Sequence, residues 1–177
     1  MQLLKEIKNS YLLLLIHEKL EQKNLLFEAK NRNVDSTRIK FFAYTNIEDH
    51  LARHTLVDLY LDTFNYNGHT STVDALWAGV PVITKLGQSL TARVCGSLLT
   101  AFNLSEMITK NNHDYKDLAY RLAKDKNLLK KVKTKVSQNK FSSKLFNTKE
   151  YITNLERGFK LAHDLKNNKN EIKTIYL

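Results

Sequence analysis

The residues with the most chemistry to offer lie in one run, Leu59-Tyr60-Leu61-Asp62-Thr63-Phe64-Asn65-Tyr66-Asn67-Gly68-His69-Thr70-Ser71-Thr72-Val73-Asp74-Ala75-Leu76-Trp77. Asn67 to Ser71 stand between a short apolar segment of strand character and the start of a helical pattern. That junction is where open α/β sheets hold their ligands. A helix start presents backbone N–H groups without partners and the positive end of the helix dipole, so the chemistry to expect is anion binding. Hydroxyls of Thr70, Ser71 and Thr72 add donors, and Gly68 lets the backbone come close to a phosphate. Asp74, about one turn into the helix, faces the same cleft and accepts hydrogen bonds from a ribose. These residue types also have an ordinary use: Thr70 or Ser71 simply caps the helix, and His69 is a structural loop residue. Spacing alone leaves both readings open.

Positioning such a loop takes alternating strands and helices, and the chain supplies them. Leu12–Ile16, Lys40–Ala43, Leu59–Leu61 and Val80–Thr84 read as strands, with Glu106–Ile108 as a fifth. Leu20–Ala29, Ile47–His54, Thr72–Ala78 and Leu90–Ala101 read as the helices between them. The alternation predicts an α/β fold, a Rossmann-like parallel sheet flanked by helices. After residue 110 the strand signals stop, and Asp114–Lys124, Asn127–Ser137 and Thr148–Lys166 read as amphipathic helices. The expected organisation is one domain over 1–177, a nucleotide-binding core over 1–110 and C-terminal helices over 111–177. Five glycines and one proline leave no linker at which to divide it. Leu3 to Lys8 look helical ahead of the first strand, as though a preceding strand and loop belong to another segment.

Composition narrows the function classes. A single cysteine, Cys95, has no internal disulfide partner, and no signal-like start or membrane-length apolar run is present. A cytoplasmic protein without a membrane partner is expected. The formal charge of +10 suits a polyanion. The lysines are nevertheless spread widely, and Lys130, Lys131, Lys133 and Lys135 go around a helix rather than down one face. Without interleaved aromatics they read as a solvated surface, not a nucleic-acid interface.

Several motifs in register then resemble one family. Tyr60-Leu61-Asp62-Thr63, Asn67-Gly68-His69-Thr70 and Asp74-Ala75-Leu76-Trp77-Ala78-Gly79-Val80-Pro81 are similar to the C-terminal catalytic lobe of the O-linked N-acetylglucosaminyltransferases and Spindly-type enzymes, glycosyltransferase family 41. Val82-Ile83-Thr84, Gly87-Gln88-Ser89-Leu90-Thr91-Ala92-Arg93-Val94, Leu128-Leu129-Lys130-Lys131-Val132 and Ser142-Ser143-Lys144-Leu145-Phe146-Asn147-Thr148-Lys149-Glu150-Tyr151 follow in the same order.

The resemblance implies the second, donor-binding domain of a GT-B enzyme. Its reaction is inverting transfer of N-acetylglucosamine from UDP to Ser or Thr hydroxyls of a polypeptide, with UDP-N-acetylglucosamine as donor and neither cofactor nor metal. Carried over, Asn67, Gly68, His69, Thr70 and Ser71 hold the diphosphate, Ser71 standing where the family often has Thr. Asp74 takes the ribose, and His50, Arg53 and the backbone at Thr45 take the uracil. His69 and Thr70 lie nearest the transferred sugar as the catalytic pair; no residue claims the role of general base. Two departures stand out. Ile47 replaces a lysine that contacts the ribose, and the family's diphosphate-binding lysine and acceptor domain lie upstream of anything in this chain. A polypeptide acceptor would therefore come through a missing domain, leaving the chain inactive alone. The alternative is a degenerate standalone nucleotide-binding or interaction module.

Overall fold

The computed structural model describes residues 1–167 and 174–175. The end of the expected C-terminal span 111–177, residues 168–173 and 176–177, lies outside the described residues. Among the described residues five strands appear: β1 (Leu12–Leu15), β2 (Ile39–Phe42), β3 (Tyr60–Leu61), β4 (Val82–Lys85) and β5 (Ile108–Thr109). The helices are α1 (Gln2–Glu6), α2 (Lys19–Asn31), α3 (Ile47–His54), α4 (Thr70–Trp77), α5 (Val94–Ala101), α6 (Asn112–Lys124), α7 (Lys126–Ser142) and α8 (Thr148–Asn167). Every strand pair is parallel, as the alternation predicts. The ladders fall into two groups, β1-β2 and β3-β4-β5. In the first, Leu12 faces Ile39 and Leu15 faces Phe42; in the second, Tyr60 faces Val82 and Thr84 faces Ile108.

Three of the crossover helices close in the same way, and the sequence shows why. After α2, α4 and α5 comes a residue in the left-handed region: Asn33 at φ 53°, Gly79 at φ 87° and Asn103 at φ 58°. The following N–H turns back to the helix, from Val34 to Ala29 O, Val80 to Ala75 O and Leu104 to Leu99 O, at 2.8–2.9 Å. Each closing residue is apolar and buried, at 5%, 2% and 0% exposure for Val34, Val80 and Leu104. This is the Schellman closure, which satisfies the last carbonyls and drives an apolar side chain into the core.

Burial is uneven between the two ladders. Val82, Ile83 and Thr84 of β4 are fully buried under α4, α5 and α6, with Leu76, Leu99, Phe102, Leu104 and Leu122 around them. The β1-β2 pair rests on a much smaller cluster of Leu4, Ala29, Val34 and Ile39. Helix α1 joins the halves, since Leu4 belongs to the small cluster and Leu3 packs on the large one.

Element boundaries differ from the sequence reading for local reasons. The helix expected from Leu90 starts at Val94, because Ser89–Arg93 turn tightly, with Arg93 N–H on Leu90 O. The fifth strand slides to Ile108–Thr109, and the 105–107 stretch forms a 3-10 turn instead. Helix α8 buries no side chain, and Tyr151, Ile152, Leu155, Phe159 and Leu161 stay exposed. Among the described residues no helix is long and apolar enough to cross a membrane.

Two outcomes follow for stability and reactivity. A Cβ at Gly79 meets nothing within 4 Å, so Gly79→Ala pays only for its positive φ. It should destabilise the protein by about 1 kcal/mol in urea unfolding. Cys95 is buried, and burial pushes its thiol up to about 12. It should resist iodoacetamide at pH 8 in the native protein and react promptly in denaturant.

Candidate functional site

The loop between β3 and α4 is built on a buried carboxylate. Asp62, 3% exposed, leaves the end of β3 and accepts the Gly68 N–H at 2.6 Å and the Thr84 hydroxyl at 2.5 Å. Its backbone carbonyl accepts the Tyr115 hydroxyl at 2.9 Å. Asn67, 1% exposed, is spent on the same scaffold. Its side-chain amide donates to Thr63 O at 2.7 Å, its oxygen accepts Cys95 N–H at 3.3 Å, and its own N–H donates to Thr91 O at 2.9 Å. The Thr91 hydroxyl reaches back to Asn65 O at 3.2 Å, so the 87–93 turn clips the loop from the other side. Burial raises the Tyr115 hydroxyl above its ordinary range, with the Asp62 charge adding to it; burial first, and then that charge, also raise the Cys95 thiol.

What the scaffold leaves unspent is the start of α4. Asn46, Asn111, Asp125 and Asn147 cap the starts of α3, α6, α7 and α8 with their own side chains. At α4 the capping position is His69, and its side chain makes no cap bond. The helix begins two residues before the expected Thr72, which places Thr70 and Ser71 inside the first turn rather than at the cap. The reading in which they merely cap the helix does not describe this structure. The N–H groups of His69, Thr70 and Ser71 have no acceptor among the described residues. The Thr70 hydroxyl is exposed and unbonded, while the Thr72 hydroxyl, also expected as a donor, is buried and donates to Gly68 O at 2.7 Å. His69 stacks on Tyr66, 4.9 Å between ring centres, and its Nε2 is buried without a partner.

Helix α3 brings the second group of expected residues to α4. His50 Nε2 lies 3.3 Å from Asp74 Oδ2, each side chain about one-fifth exposed. Arg53 sits beside the His50 ring, Nη2 to Nδ1 3.4 Å, and donates from Nη1 to Ala43 O at 3.0 Å. His54 braces His50 from below, with Nδ1 2.8 Å from its carbonyl. Thr45 is exposed on the loop before α3, its hydroxyl 3.3 Å from Asp49 Oδ2. Ile47 opens the helix with its side chain 55% exposed. A row of strand ends and helix starts thus presents three backbone donors, two hydroxyls and a His50–Asp74 pair. That set suits a phosphate-bearing, hydroxyl-rich ligand.

Sequence reasoning left out the residues that shape this loop. Asp62, Tyr60, Thr84 and Thr91 contribute bonds across 11 to 26 positions of chain, and no local pattern announces such pairs. Asp62 directly after an apolar strand was the one available signal. A groove of about 400 Å³ runs along α7, lined by Lys126, Leu129, Lys130, Lys133, Thr134 and Ser137, and shares none of these residues. Lys133 there is paired with Asp58 at 2.7 Å, in keeping with a solvated surface.

Comparison with known proteins places the chain in a family. Residues 1–155 match the family model for glycosyl transferase family 41. A UDP-N-acetylglucosamine–peptide N-acetylglucosaminyltransferase of Caenorhabditis elegans is 38% identical over 125 residues, 71% of this chain and 11% of that protein. A probable UDP-N-acetylglucosamine–peptide N-acetylglucosaminyltransferase of Arabidopsis thaliana, SEC, is 34% identical over 158 residues, covering 89% of this chain and 16% of that protein. A solved structure of a Thermobaculum terrenum O-GlcNAc transferase mutant superposes with a TM-score of 0.83 at 25% identity, over 89% of this chain and 31% of that one. The chain therefore spans a small fraction of the length of the relatives it matches. With the fold, the ordered motifs and the matches over most of its residues in agreement, the chain belongs to glycosyl transferase family 41.

Proposed function

We propose that the chain is the UDP-sugar-binding half of a polypeptide O-linked N-acetylglucosaminyltransferase. The observation that carries this reading is the uncapped start of α4, with the His69, Thr70 and Ser71 N–H groups unspent beside the His50–Asp74 pair. In this scheme the diphosphate lies across the α4 N-terminus. The ribose hydroxyls donate to Asp74, and the uracil is held by His50, Arg53 and the free backbone at Thr45. The donor, UDP-N-acetylglucosamine, and the peptide acceptor are those of the relatives that the chain resembles.

In the transfer, a Ser or Thr hydroxyl attacks the anomeric carbon from the face opposite the diphosphate. The bond to the diphosphate oxygen breaks, and UDP leaves with the electron pair. Charge grows on that leaving oxygen, and donors already aimed at it lower the barrier by a few kcal/mol each. The three N–H groups and the Thr70 and Ser71 hydroxyls fill this role without a metal in the scheme. His69 and Thr70 stand closest to the sugar. The attacking hydroxyl's proton goes to a base outside these residues, so the chain alone binds donor and does not transfer it. A buried free thiol at Cys95 supports placing the protein in the reducing cytoplasm. The exposed apolar residues of α8 favour a secondary role as an interaction module.

Calorimetric titration with UDP, with ADP as a control for attraction to the positive charge, tests the reading. Selective UDP binding is expected; equal or absent binding would overturn it. Asp74→Ala and His69→Ala should each weaken UDP roughly tenfold. A Cβ on Gly68 would sit 2.7 Å from Ser71 Oγ and 2.8 Å from Thr72 Oγ1. Gly68→Ala should thus displace the α4 N-terminus and weaken UDP by about tenfold or more.

A further inference from the structure

One hydroxyl beneath the loop has no place in the donor set described above. Tyr60 stands on β3, half-buried, and its hydroxyl donates to Ser71 Oγ at 3.0 Å. The same hydroxyl would lie 2.9 Å from a Cβ built on Gly68, alongside Ser71 Oγ and Thr72 Oγ1. Three hydroxyls therefore pack beneath one glycine. Two of them have their protons assigned: Thr72 donates to Gly68 O at 2.7 Å, and Tyr60 donates to Ser71. Ser71 accepts, so its own proton is left over, and no acceptor for it exists among the described residues.

A serine in the first turn of a helix ordinarily rotates and bonds nearby backbone. Here the phenol occupies one lone pair and removes that freedom. Its ring is held by the β3 ladder, where Tyr60 N–H donates to Pro81 O at 2.8 Å. A hydroxyl that accepts one hydrogen bond also becomes a better donor of the next. Burial raises the Tyr60 hydroxyl above its ordinary range, which keeps it protonated and donating.

We infer that Tyr60 is a positioning residue for the diphosphate: it fixes the Ser71 side chain so that the Ser71 proton is delivered to a phosphoryl oxygen. The inference rests on the UDP reading above. Tyr60 itself touches no ligand, and its effect passes through Ser71 alone. That separates it from residues that merely keep the loop folded, because its loss should be felt by the phosphates and not by the nucleoside.

Tyr60→Phe keeps the ring and removes one oxygen. UDP affinity is read by calorimetry and uridine affinity by NMR shift titration, for the wild type, Tyr60→Phe, Ser71→Ala and the double variant, with melting in the absence of nucleotide as a check on folding. UDP affinity should fall about fivefold to tenfold in Tyr60→Phe while uridine affinity stays unchanged. Ser71→Ala should lose at least as much, and adding Tyr60→Phe to it should cost nothing further, because the two act as one unit. Wild-type UDP affinity in Tyr60→Phe, equal losses for uridine and UDP, or additive losses in the double variant would each overturn the inference. A wild type that does not bind UDP overturns the reading beneath it.

Discussion

The buried carboxylate of Asp62 is the constraint on which the candidate site depends. A carboxylate at 3% exposure is tolerated only where hydrogen bonds replace water. Here its two oxygens take the Gly68 N–H and the Thr84 hydroxyl. Those bonds join the end of β3 to the loop and to β4. The chain of polar contacts continues, since Thr109 donates to Thr84 O at 2.9 Å and Tyr115 donates to Asp62 O. Strands β3, β4 and β5 and helix α6 are thereby tied together at the carboxyl ends of the strands, beside the proposed ligand face. Charge-assisted bonds of this kind are the strong ones, and each is short enough to hold its partner in one place.

That scaffold decides which donors remain. Asn67 and Thr72 look like ligands by type, yet the structure spends them inside the loop. Gly68 gives its N–H to Asp62, so its contribution is the room that its missing side chain leaves for three hydroxyls. The groups left over are consecutive: the N–H groups of His69, Thr70 and Ser71, followed by the Thr70 and Ser71 hydroxyls. A binding site works when its open groups are carried by closed ones, because the open groups then lose little freedom on meeting a ligand. The rigid, over-bonded segment 62–68 and the uncapped turn that follows it divide the labour in that way.

The rest of the molecule is less evenly built. The β3-β4-β5 half has a deep core centred on β4, whereas β1 and β2 share a cluster of four buried residues. Helix α3, which carries His50 and Arg53, follows β2 of that lighter half, with Arg53 bonded to Ala43 O, and is joined to α4 through the His50–Asp74 contact. The uracil side of the proposed site is accordingly the softer side, with local opening free energies expected to be lowest there. Helix α8, with no buried side chain, contributes nothing to either core.

Much of this was legible in the amino-acid sequence. Short apolar runs alternating with helical spacing determined a parallel α/β fold, because only strands buried under crossover helices read that way. Asn33, Gly79 and Asn103, each followed by an apolar residue, are local signals for the three helix ends that the structure shows, although the alternation alone did not use them. The run from Asn67 to Asp74 marked the candidate site, and the ordered motifs around it marked the family. Local pattern could not tell which polar residues of that run are open and which are spent. That depends on partners distant in sequence: Asp62 with Thr84, Tyr60 with Ser71, Asn67 with Cys95, His50 with Asp74. Local sequence thus marked, to within a few residues, where a strand gives way to a helix, since those are properties of neighbouring residues. Tertiary structure decided which N–H groups at that junction are free, because a hydrogen bond is exclusive and its competitors meet only once the chain has folded.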